Sequence, residues 1–142
     1  MTRTLLGLLL VLLATPVAQV PGRRQGATCL SYEPDTVSLT GTVRRHTFPG
    51  PPNYESIGKG DEPEPGFYLH MARPVCAIGR DDVDVAARGV RLVQLVLDSA
   101  GYARLRPLLG RPVTLRGTLF HAFSGHHHAA LLLRVLTPVT VR

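Results

Sequence analysis

Val37-Ser-Leu-Thr-Gly-Thr-Val43 and Val113-Thr-Leu-Arg-Gly-Thr-Leu119 are close copies of one another. Each alternates apolar and polar residues with the period of two that a half-buried strand requires. Each also carries a glycine at mid-strand, which permits the strong coiling a small barrel imposes on its first and fourth strands. Outward from the first copy, alternation continues to Phe48, placing Val37, Leu39 and Val43 inward and Thr40, Thr42, Arg44 and His46 outward. Residues 49–66 hold five prolines and four glycines and read as a long loop. Alternation resumes with Phe67, Leu69 and Met71 inward and Tyr68 and His70 outward, until Pro74 closes or bends the strand. A charged loop spans residues 80–88, and Val90 to Leu97 is almost continuous aliphatic sequence, as for a central strand.

Asp98 or Ser99 can cap a short helix that runs to about Leu109 with Gly110 as its stop, Pro107 making the last turn irregular. Strands follow from Val113 to Phe123 and from Ala129 to Val141, with the histidine turn between them. The fold class is therefore mainly β. Five strands with one short helix between strands three and four is the connectivity of an OB-like Greek-key barrel. Another small β-rich domain is the alternative.

The 142 residues suit one domain with a single modest core. Residues 1–18 read as a signal peptide: Arg3 is the positive start, Leu5 to Leu13 the apolar run, and Ala14, Pro16 and Ala18 the small-residue end. Cleavage after Ala18 is expected, with a later cut near Gly22 as the alternative. The apolar run is too short to span a bilayer, so no transmembrane span is expected after processing. Residues 19–28 form a flexible tether, and residues 29–142 the barrel. The expected location is secreted or periplasmic. In that oxidising setting Cys29 and Cys76, the two cysteines, pair as a disulfide by default; two free thiols are the rival reading. A net charge of +6 would suit nucleic acid, but the arginines are scattered and export removes most such partners. The expected partner is instead an envelope protein, a glycan or a small ligand.

Gly125-His126-His127-His128 is the main chemical feature. On strand parity His126 and His128 share a face and His127 points away, while His121 ends the preceding strand and can lie across the hairpin. Such imidazoles suit zinc (Zn) or copper (Cu), making His121, His126 and His128 the candidate metal ligands. A plain polar turn is the competing reading. In an OB barrel the loop between strands one and two lies beside the loop between strands four and five, and together they frame the usual ligand site. That expectation brings Asn53, Tyr54, Glu55 and Asp61 to the histidines as ligand-binding residues, together with His127. A carboxylate there would complete a mixed metal site or orient an imidazole. The outward stripe Arg44, His46, Tyr68 and His70 suits sugars or stacked bases less well than it suits an ordinary solvent face.

No catalytic residue is assigned. The chain has no Gly-x-Ser-x-Gly elbow, and its acidic cluster Asp81, Asp82 and Asp84 lacks the pattern of a calcium loop. A metal-assisted hydrolase would need a base, for which Glu55 is the candidate.

The run from Gly110 to His128 resembles a bacterial secreted family catalogued as domain of unknown function 4431. The resemblance lies in the glycine–valine–glycine strand, the Leu119-Phe-His-Ala122 stretch and the Gly-His-His-His turn, and is strongest from Gln94 to Leu136. Gly50-Pro-Pro-Asn-Tyr-Glu-Ser56 and Pro74-Val-Cys76 look like the longer members. Where members commonly carry threonine after the histidines, this chain has Ala129. The resemblance implies an envelope or secreted location and a significant turn, and implies no reaction. Two function classes follow: an exported ligand-binding module with a transition-metal site at the turn, or an envelope protein- or glycan-interaction module without metal.

Overall fold

The computed structural model describes residues 29–79 and 85–141. The expected signal peptide, the tether and the acidic cluster Asp81, Asp82 and Asp84 lie outside the described residues. Strand β1 (Leu30–Ser31) is followed by β2 (Thr36–Pro49), β3 (Pro63–Ile78), β4 (Ala87–Val96), helix α1 (Ser99–Leu105), β5 (Pro112–His121) and β6 (Leu131–Val141). The sheet order is β1-β3-β2-β5-β6-β4, and β3 also pairs with β4. Strands β2 to β6 therefore close into a five-stranded barrel of OB-like connectivity, antiparallel except for the β4–β6 pair. The short helix lies between the third and fourth barrel strands, as expected. Strand β1, which the sequence did not suggest, pairs in parallel with the end of β3. The Cys29–Cys76 disulfide closes that corner.

The two echoed segments pair antiparallel with one another, Leu39 opposite Leu115 and Val37 opposite Gly117. Their glycines are required by close approach. A Cβ at Gly41 would lie 2.5 Å from the His70 carbonyl oxygen, and one at Gly117 would overlap the Arg134 carbonyl. Inward residues Leu39, Val43, Leu69, Val93, Leu115, Leu119, Leu131 and Leu133 fill the barrel, with Leu105 from the helix end among them. Asp98 caps the helix by accepting from the Gly101 N–H, and the last turn is a 3₁₀ turn containing Pro107.

Several boundaries shift from the sequence expectation. The long loop is shorter, 50–62, because β3 begins at Pro63. Over residues 63–66 that strand pairs with β2 alone, so prolines at 63 and 65 do not interrupt a two-sided ladder. At Pro74, the second of the two expected outcomes holds: β3 bends and continues, with a register shift between His70 and Val75. Ala87 and Arg88 belong to β4 rather than to a loop. Strand β5 stops at His121 and β6 starts at Leu131, leaving a nine-residue turn, 122–130.

The largest difference is on the outer face. Arg44, Tyr68, Gln94, Leu132 and Phe120 form one cross-strand row. Tyr68 was expected to face solvent, yet it is only 1% exposed, and Leu132 is fully buried. Neither belongs to the interior cluster. A second, smaller core therefore lies outside the barrel wall, covered by the loop and the histidine turn. Its rings include Phe48, which meets both Tyr68 and His128.

Candidate functional site: a carboxylate between two histidines

The loop 50–62 is held by a single buried side chain. The Asp61 carboxylate accepts from the backbone N–H groups of Asn53, Glu55 and Ser56 and from the Asn53 side-chain amide. The Ser56 N–H, followed by those of Asn53 and Glu55 against an opposing burial effect, holds this carboxyl below its ordinary range. The loop so fixed presents Tyr54, at φ 60°, to the turn. The Tyr54 ring packs on Gly125, where a Cβ would come within 2.7 Å of it, and its hydroxyl lies 3.2 Å from His126 Nε2.

Gln94 holds the turn from below. It projects from β4 in the outer row, donates from Nε2 to the His126 carbonyl at 2.9 Å and accepts the His128 N–H at 2.7 Å. This amide fixes the backbone on both sides of His127. The His127 ring then closes the turn from within: its Nδ1 accepts the Phe123 N–H at 3.1 Å, and it packs edge-on against Phe123 and Phe120. Burial, with the neighbouring His126, His128 and His121, pushes the His127 pKa down, in keeping with a neutral ring that accepts at Nδ1.

His126 and His128 both point at Glu64. One carboxylate oxygen lies 2.5 Å from His126 Nδ1 and the other 2.7 Å from His128 Nε2. Burial alone would raise the Glu64 pKa; hydrogen bonds from His128 and His126 more than offset it, and the carboxyl sits below its ordinary range. An ionised carboxylate can only accept, so both imidazoles carry their proton on the nitrogen facing Glu64. A neutral His126 then has Nε2 free to accept from the Tyr54 hydroxyl. Phe48 stacks flat on His128, with ring centroids 5.0 Å apart, and fixes its orientation. The His128 side chain is 10% exposed and that of His126 61%, so one ring anchors the cluster and the other meets solvent.

The expected residues thus separate. Tyr54, His126 and His128 come together. His121 does not join them: it stands in the inward row with Leu131, its ring against Tyr32 and Phe123. Asp61 and the Asn53 amide hold the loop, and His127 holds the turn. Glu55 contributes its N–H to Asp61, and the carboxylate at the imidazoles is Glu64 instead. The flanking prolines disguise Glu64 as loop; its parity with Tyr68, four residues on, is the available signal. Gln94 was hidden as the lone amide in an aliphatic run. Among the described residues no group of three or more His, Cys, Asp or Glu side chains is arranged to hold a metal ion.

Two open hollows meet beside this cluster. One, of about 310 Å³, is lined by Glu64, Gly66, Gln94, Tyr102, His126 and His128 among others. The next, of about 420 Å³, shares Pro65, Gly66 and Tyr102 with it and reaches Arg45 and Arg106. Residues 92–137 match the model of a family described as a domain of unknown function (DUF4431). Over that segment the chain resembles DUF4431. The matched stretch carries Gln94, Tyr102 and all three turn histidines, whereas Glu64, Tyr54 and Arg45 come from outside it. No curated protein and no solved structure matches the chain.

Proposed function

We propose that this protein is an exported ligand-binding module, and that it contacts an envelope glycan or protein at the groove beside the histidine turn. The observation that carries this reading is the single Glu64 carboxylate receiving both His126 and His128 at the wall of an open groove. Asp61, Gln94 and Tyr54 fix the two loops, so the polar groups are positioned before a ligand arrives, which lowers the ordering cost of binding. The disulfide is compatible with an oxidising compartment, and the first eighteen residues read as an export signal. Within this reading the imidazoles act through hydrogen bonds.

A metal-binding version keeps one supporting observation: two imidazoles and a carboxylate are a familiar zinc donor set. Here the nitrogens facing Glu64 carry protons, which a metal would have to displace. The test uses the mature domain from Gln19 without a histidine tag. Retention on purified peptidoglycan or lipopolysaccharide that is lost in His126→Ala/His128→Ala supports the module. Equal retention of both proteins, or none, refutes it. Calorimetric zinc or copper binding at micromolar concentration, lost in the same variant, would establish the metal version instead.

A further inference from the structure

The second hollow has a chemistry of its own. Arg45 and Arg106 line it, both are exposed, and among the described residues neither is paired with a carboxylate. Between them and the Glu64–histidine cluster lie Gly66 and Tyr102, common to both hollows. Tyr102 is held edge-on against Phe67 at 5.0 Å, so its ring is a fixed wall. Gly66 leaves the backbone bare beside it. The path therefore runs from a carboxylate with two imidazoles, across an aromatic ring, to two guanidinium groups. Such planar guanidinium groups suit an oxyanion, carboxylate or phosphate.

The floor of this path also restricts the ligand class. It is the stretch of β3 that pairs on one side only, and Pro63 and Pro65 give it no N–H at those positions. An extended peptide could not add there as a regular strand. A saccharide needs no such ladder: it uses ring faces against aromatics and hydroxyls against acids and imidazoles.

We infer that the groove binds an anionic oligosaccharide, its charged group on Arg45 and Arg106, a ring over Tyr102 and its hydroxyls on Glu64 and His128. The inference rests on the ligand-binding reading above and names its ligand class. Calorimetry at low salt on the mature domain tests it with tetragalacturonate, neutral maltotetraose, glucose 6-phosphate and inorganic phosphate. Tetragalacturonate or glucose 6-phosphate should bind at least roughly tenfold more tightly than maltotetraose, and the preferred one names the anion's source. Arg45→Ala/Arg106→Ala, with an unchanged melting temperature, should lose that preference, and Arg45→Lys/Arg106→Lys should recover part of it. Equal affinity for charged and neutral sugars, or unchanged binding in the alanine variant, overturns the inference. So does inorganic phosphate binding as tightly as either sugar. Binding lost in His126→Ala/His128→Ala but kept in the arginine variant would leave the cluster standing and remove the arginine subsite. The reverse pattern would remove the cluster's role and keep the arginines.

Discussion

Replacing Gly117 by alanine is a sharp test of how the barrel closes. The added Cβ would overlap the Arg134 carbonyl oxygen and lie 2.9 Å from its carbon and 3.0 Å from Leu133 Cδ1. Two of these obstacles are backbone atoms of β6, so a rotamer change cannot relieve them. Strands β5 and β6 would have to separate where Gly117 pairs with Val135. Overpacking of this kind costs about 3 kcal/mol, while removing a strand glycine returns about 0.5–1 kcal/mol of unfolded-state entropy. A net loss of about 2 kcal/mol follows, or roughly 8 °C in melting temperature for a domain of this size. Gly58→Ala is the control, because its Cβ would meet only Ser56 Oγ, at 3.7 Å. Urea and thermal unfolding of the two variants beside the parent read the difference. A Gly117→Ala protein as stable as Gly58→Ala would refute the close-approach account of the echoed glycines.

Three further outcomes are expected. Gln94→Ala removes both hydrogen bonds that seat the turn, so amide exchange at His126 to His128 should accelerate markedly, with a stability loss of about 1–3 kcal/mol. Stability should fall on acidification from the ordinary histidine value of 6.5 downward, because burial depresses the pKa of His70 and His127 in the folded protein. A depressed pKa contributes stability above the unfolded value that is lost as pH falls through the folded one; Glu64 adds the same sign below 4.5. His127→Asn should flatten the upper part of that profile in urea titrations at stepped pH, and an unchanged profile would count against the assignment. Reducing Cys29–Cys76, which closes a 47-residue separation, should cost roughly 4 kcal/mol by denaturant midpoint on the loop-entropy account.

The fold was legible because alternation survives in β2, β3 and β5 and because the helix carries its own cap at Asp98. What alternation cannot report is what lies over an outward residue. Tyr68 reads as solvent-facing from its parity, and only the arrival of the turn and of Phe48 buries it. The site was half legible for related reasons. Imidazoles in a row announce themselves, and OB connectivity brings Tyr54 to His126. Their carboxylate partner comes from a strand start that Pro63 and Pro65 disguise as loop. His121 illustrates the opposite error: nearness in sequence suggested a shared site, while strand parity sends its ring to the other face of the wall.

The segment that matches DUF4431, residues 92–137, covers only part of the closed barrel. It spans the second half of β4, the helix, β5 and part of β6, and omits β2 and β3 altogether. Alone it would expose the margin of β5 that β2 covers and the margin of β4 that β3 covers. Both are unfinished sheet borders prone to self-association. In this chain the matched segment is thus only part of the closed wall. Here β2 and β3 close the wall, and they also bring the acid for the histidines and an arginine for the groove.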